Sequence, residues 1–239
     1  MIPLRDANPT RRTPVVTLAI IALCGIAFAW ELGVLAGGDR ALETFLDAHG
    51  VVASQLTAAL GRGDLLSGPV LGVFTSMFLH AGWLHLLGNM LYLWIFGNNV
   101  EDRMGRLTFL LFYLFGGVIA VAGQVLADPA ADAPLIGASG AIAATLGAYI
   151  VLYPTARIQS LVFLGFFYQL IAVPAVLVLG FWFVLQVIDG VGALGATAGA
   201  GGGVAFFAHI GGFIAGALLV KPFGIGRERA YEAYDRGGW

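Results

Sequence analysis

A serine set among small residues, Gly137-Ala138-Ser139-Gly140, opens one apolar stretch of the chain. A histidine, His209, stands near the start of another, in Ala208-His209-Ile210-Gly211-Gly212. A hydroxyl and an imidazole are the groups that acyl transfer needs: the hydroxyl attacks a carbonyl carbon and the imidazole takes its proton. Ionisable groups inside apolar segments are costly to hold there and are functional by default. The pair therefore points to hydrolysis inside a bilayer, with Ser139 as nucleophile and His209 as general base. Gly137 permits an unusual backbone conformation before the helix, and Gly140 lets a second helix come close. Backbone N–H groups at a helix start, here those of Ala138 and Ser139, favour developing negative charge and can hold an oxyanion.

Two further polar residues, His85 and Asn89, are four apart and so share one face of a helix. Their bland role is hydrogen bonding between helices; their chemical role is donation to the tetrahedral oxyanion. His80 reads as a structural residue of the first loop, and His49 as unremarkable. Zinc on His80, His85 and His209 is the competing reading. An HExxH arrangement is absent, and zinc leaves the glycine setting of Ser139 without a reason, so no metal is expected. Among the acidic residues Glu31 and Asp189 come nearest to a third triad member. Nothing in the sequence puts either beside His209, and a Ser–His dyad is the expectation.

These residues need a scaffold, and composition says which. Hydrophobic residues make up 59% of the 239 and charged residues 11%, with mean hydropathy +0.88. Soluble domains carry about 25% charged residues, so the chain reads as an all-α polytopic membrane protein. A net charge of −2 offers no case for nucleic-acid binding, and the one cysteine, Cys24, cannot form an intrachain disulfide. With about 20 apolar residues per crossing, six spans are expected at 15–36, 82–98, 107–127, 137–153, 170–189 and 204–221. The first is read as a retained helix rather than a cleaved signal, since only Glu31 interrupts it. Residues 1–14 and 222–239 are then tails flanking a six-helix domain over 15–221. A long, partly apolar loop at 37–81 rests on the membrane surface. The part of 158–189 through Tyr168-Gln169 is expected to be interfacial, with Pro174 bending the helix beyond it, and the glycine-rich Gly199–Gly203 reads as a loop.

Orientation follows from the cations. If both termini are cytoplasmic, ten of the 12 Lys and Arg residues lie on that side and only Arg40 and Arg62 lie outside. Spans two, four and six then all begin in the outer half of the membrane, which brings His85, Asn89, Ser139 and His209 to one depth. Ala208, Gly212 and Gly216 form one small-residue face, and Gly140, Ala144 and Ala148 another, the pattern of close helix contact in membranes. Contact between these faces would bring His209 to Ser139.

Three stretches, in order, resemble the rhomboid family of intramembrane serine proteases: FLHAGWLHLLGNMLYLWIFGNNVEDRMG, GASGAIAATLGAY and AHIGGFIAG. The resemblance runs from about Phe74 to Gly216. It implies a six-helix bundle that cleaves transmembrane protein substrates near the outer membrane face, without a cofactor, most readily in a bacterial inner membrane. Ser139 matches the family nucleophile, His209 the base, and His85 and Asn89 the oxyanion donors. Glu101 and Arg103 match its E-x-R element, implied to be structural. Two positions depart from the pattern. Leu71-Gly72 stands where many members carry Trp-Arg, and Ala143 stands where some carry a tyrosine stacked on the base. The family architecture implies lateral substrate access between spans two and five, where Trp94, Phe181 and Trp182 are bulky. A catalytically inactive rhomboid-like protein, which binds or helps dislocate membrane proteins, is the alternative. Such proteins lose the serine or the histidine, and this chain has both. A small transporter would spread its polar groups through the depth of a pathway.

Overall fold

The computed structural model describes residues 1–164, 167–194 and 204–224. Four helices are long and apolar enough to cross a membrane. They are α1 (Val15–Leu35), α7 (Arg106–Ala127), α9 (Ala175–Leu194) and α10 (Phe206–Gly224). Between α1 and α7 the loop region folds into α2 (Asp39–His49), α3 (Ala53–Gly61) and α4 (Gly68–Thr75). There follow α5 (Trp83–Tyr92), a π-helical turn (Leu93–Gly97) and α6 (Asn98–Met104), which run on as one rod. That rod and the segment Gly68–Phe78 qualify together as a fifth crossing, bent by 76° where they meet.

The last apolar helix, α8 (Ser139–Leu152), has only 14 residues, about 21 Å at 1.5 Å per residue. Its setting explains the shortness. Every residue from Ala141 to Tyr149 is buried, so α8 has protein on all sides and no lipid face to satisfy. The six spans expected from the sequence therefore resolve into four full-length helices, one bent element and one short enclosed helix.

The fold is mainly helical but not all-α. Strands β1 (Ile2–Asp6), β2 (Arg157–Leu164) and β3 (Phe167–Pro174) form an antiparallel sheet in the order β1-β2-β3. The segment before Pro174, expected to be interfacial or helical, is thus a pair of strands, and the helix after it spans 175–194 instead of 170–189. The physical reason lies in the side chains. Ile158, Val162, Phe167, Tyr168, Ile171 and Val173 are β-branched or aromatic and favour extended backbone. Pro174 has no N–H to give to a helix and closes the strand. The N-terminal residues, expected to be a tail, dock as β1, with a register irregularity between Pro3 and Arg5 that accommodates proline's missing donor. At the other end, Pro222 lies inside α10; the rest of the expected C-terminal tail and the loop at Gly199–Gly203 lie outside the described residues.

The core runs along α8. Tyr113, Phe109 and Phe112 of α7, Phe96 of the π turn, and Tyr149 and Leu146 of α8 are all sequestered there. On the loop side, Gly72 of α4 lies directly against the carbonyl of Gly50. The Thr75 hydroxyl donates to the His49 carbonyl at 2.5 Å, and Val51 and Leu135 exchange backbone hydrogen bonds at 3.0 and 2.8 Å. A side chain at position 72 would have to displace backbone, so this loop is held by close approach of the two segments.

Candidate active site

Ser139 opens α8 because the preceding backbone turns sharply. Gly137 has φ +123°, a region that side chains rarely enter, and its N–H donates to the Ser76 carbonyl at 2.8 Å. Ala138 is the N-terminal flanking residue of the helix. The N–H groups of Ala138 and Ser139 thus belong to a helix start, where no carbonyl of the same helix can accept from them. The Ser139 hydroxyl lies 2.8 Å from Nε2 of His209.

Helix α10 meets α8 through small residues. Gly212 lies against the carbonyl of Gly140, and Gly216 against that of Ala144. In the opposite sense Gly147 of α8 abuts the Phe213 carbonyl. Backbones this close cannot rotate or slide past one another without overlap, so the separation of residues 139 and 209 is fixed by the helices themselves. Gln124 of α7 accepts from the Ala208 N–H at 3.3 Å and caps the start of α10.

His85 and Asn89 reach the same place from α5. The Ala81 N–H donates to Nδ1 of His85 at 3.3 Å. An acceptor at Nδ1 leaves the proton on Nε2, and Nε2 lies 2.7 Å from the point where a Cβ on Gly137 would stand. The Asn89 side chain is buried and its Nδ2 has no hydrogen-bond partner. Both side chains therefore border the cavity onto which Ser139 opens, and neither His85 Nε2 nor Asn89 Nδ2 is engaged by an acceptor among the described residues. A cavity of about 490 Å³ joins these groups, with His85, Asn89, Ser139, Trp182 and His209 in its wall.

The remaining residues singled out by sequence fall elsewhere. The Glu101 carboxylate accepts from the Val16 N–H at 2.9 Å, and from the Thr17 N–H and hydroxyl at 2.7 and 2.8 Å. It therefore ties α6 to the first turn of α1, far from the cavity. Arg103 is half-buried on α6. Glu31 accepts from the His80 N–H at 3.0 and 3.2 Å, and Asp189 is exposed. His80 donates from Nδ1 to the Phe78 carbonyl at 3.1 Å and makes an edge contact with His85 at 5.2 Å between centroids. The His49 ring stacks on Phe45 at 4.4 Å. Among the described residues no group of three His, Cys, Asp or Glu side chains is arranged to hold a metal ion. Trp94 and Phe181 are exposed, whereas Trp182 turns inward to His209, with ring centroids 5.8 Å apart.

One partner escaped sequence reasoning. Oε1 of Gln186 lies 2.6 Å from Nδ1 of His209. The residue that meets Nδ1 is an amide and not an acid, and it lies one turn before the exposed Asp189. An uncharged amide on the same helix face as Trp182, four residues after it, was the available signal.

Comparison with known proteins agrees with the motif order. The Rhomboid domain family model matches residues 67–224. The rhomboid protease GluP of Bacillus subtilis (strain 168) is 33% identical over 186 residues, 78% of this chain and 31% of that protein. YdcA of the same strain is 34% identical over 105 residues, 44% of this chain and 52% of YdcA. Rhomboid-like protein 11 of Arabidopsis thaliana, a chloroplastic protein, is 44% identical over 68 residues, 28% of this chain and 24% of that one. The chain thus spans about half of YdcA's length and less of the other two.

Proposed function

The chain belongs to the rhomboid family, and on that premise we propose that it is an intramembrane serine endopeptidase acting on transmembrane protein substrates. The observation that carries this reading is the 2.8 Å contact between Nε2 of His209 and the Ser139 hydroxyl, at the wall of a cavity and within the stretch the family model matches. Ser139 Oγ attacks the scissile carbonyl while Nε2 of His209 takes its proton. The resulting oxyanion is met by Nε2–H of His85, Nδ2–H of Asn89 and the N–H groups of Ala138 and Ser139, donors positioned before the charge develops. The imidazolium then protonates the departing amine, leaving an ester on Ser139. Water, activated by the same imidazole, hydrolyses that ester and restores the hydroxyl. No cofactor enters the scheme.

In this reading the bent element is the second crossing and α8 the fourth, giving six, with both termini in the cytoplasm and the cavity open to the outer face. The bacterial relatives favour an inner-membrane location. The half of a substrate helix to be cut enters between α5 and α9 and unwinds to present its carbonyl. The inactive rhomboid-like alternative loses ground because both reacting side chains are present and in hydrogen-bond contact.

Cleavage of a single-span substrate in liposomes, combined with labelling by a fluorophosphonate, tests the proposal. Wild type should cut and be labelled; Ser139→Ala and His209→Ala should do neither. Undiminished cleavage by Ser139→Ala would overturn it.

A further inference from the structure

His209 is gripped from α9 by two residues one helical turn apart. Trp182 places its ring against the imidazole, 5.8 Å between centroids and tilted 38°. Gln186 places Oε1 2.6 Å from Nδ1. Residues four apart lie on one face of a helix, so the grip is a single feature of α9. Ala143, at the position where some relatives stack a tyrosine, is a fully buried small residue facing Gly212 and offers the ring nothing.

The chemistry of the contact is specific. A carbonyl oxygen only accepts, so Nδ1 must carry the proton that it donates to Gln186. A neutral imidazole protonated at Nδ1 has its lone pair on Nε2, and Nε2 is the atom 2.8 Å from the Ser139 hydroxyl. The other tautomer would direct an N–H at Ser139 and could not take its proton. We propose that Gln186 is a positioning residue that fixes His209 in the tautomer able to act as base, the part a carboxylate plays in a catalytic triad. This rests on the protease reading above.

The location of Gln186 adds a consequence. Apart from Ala175, Val178, Leu179 and Gly190, the residues of α9 are half-buried or exposed, whereas α8 and α10 interlock through their backbones. Ser139 and His209 are therefore held by the rigid pair, and the tautomer is set by the more peripheral helix. Outward displacement of α9 separates Gln186 from Nδ1 without moving Ser139 relative to His209.

The 239-residue chain in liposomes, labelled by a fluorophosphonate and assayed for cleavage, tests this with Gln186→Leu, which keeps the size without the acceptor, and Gln186→Glu, which restores an acceptor. The expected result for Gln186→Leu is a labelling rate and kcat lower by about ten- to a hundredfold, as when a histidine loses the partner of its second ring nitrogen, with KM unchanged and the unfolding temperature lowered by the unpaired Nδ1–H. Gln186→Glu should recover most of the rate. Wild-type labelling in Gln186→Leu, or equal loss in both variants, overturns the role of Gln186 while leaving Ser139 as nucleophile. Labelling that persists in Ser139→Ala overturns the protease reading itself, and the role of Gln186 with it.

Discussion

Gly216 of α10 lies directly against the carbonyl of Ala144 on α8, so close that no Cβ fits between them. The two helices carry Ser139 and His209, and their spacing is the spacing of the pair. Gly216→Ala should force the backbones apart at a cost of about 1–3 kcal/mol. A lower unfolding temperature and a slower fluorophosphonate reaction are expected together. Gly180→Ala on α9, where a new Cβ meets nothing within 4 Å, should leave both as they are. Normal labelling of Gly216→Ala would mean that the separation is set elsewhere.

How much of this was legible in the sequence depends on the range of the contact. The faces Gly140-Ala144-Ala148 and Ala208-Gly212-Gly216 could be read because helix periodicity puts residues four apart in line. His85 and Asn89 were legible for the same reason. The sheet was not. Residues 157–174 are apolar on both faces, so no alternation marks them as strands, and β1 pairs with β2 from more than 150 residues away. Gln186 was missed because a neutral amide carries no charge to draw attention. Glu101 was singled out by its motif, yet its partners, Val16 and Thr17, are some 85 residues upstream, beyond what spacing alone reveals.

The conformation of Gly137 leads to a second prediction. Its φ of +123° is strained for any L side chain, and a Cβ there would stand 2.7 Å from Nε2 of His85. Gly137→Ala should cost about 1–3 kcal/mol in backbone strain and push His85 off the start of α8. The expected readout is a labelling rate reduced more steeply than the unfolding temperature. Proportionate loss of the two would assign Gly137 a purely structural part.

Asn89 offers a sharper separation of stability from chemistry. Its Nδ2 is buried without a partner, and an unpaired buried donor is a cost to the folded state. Asn89→Leu should therefore hold or raise the unfolding temperature. Loss of one oxyanion donor should lower kcat by about 10²–10³-fold. A variant that is both less stable and equally active would refute both halves of the assignment.

Glu101 holds α1 in place by accepting from two N–H groups and one hydroxyl in its first turn. Glu101→Ala leaves those donors without a partner and should destabilise by about 1–3 kcal/mol. Glu101→Gln keeps an acceptor and should lose less. Because the cavity is remote, per-molecule labelling of the folded fraction should be normal in both. Equal unfolding temperatures for Ala and Gln would remove the capping role.

Docking of the N-terminal strand should depend on pH through Asp6. Its carboxylate accepts from the Tyr149 hydroxyl at 2.7 Å and from Asn99 Nδ2 at 2.6 Å. Burial raises its pKa above the ordinary 3.8, and the hydrogen bond from Tyr149 opposes that rise without cancelling it. A carboxyl group with a raised folded-state pKa binds its proton more tightly when docked than when free. Its contribution is therefore fully present below the ordinary value and is lost as pH rises through the raised one. A spin label on Leu4→Cys, in a Cys24→Ala background, should become more mobile as pH climbs through that window. Asp6→Asn keeps an acceptor for Tyr149 and cannot ionise, so the same label should stay immobile throughout. Mobility that increases as pH falls would give the linkage the opposite sign and exclude Asp6 as its source.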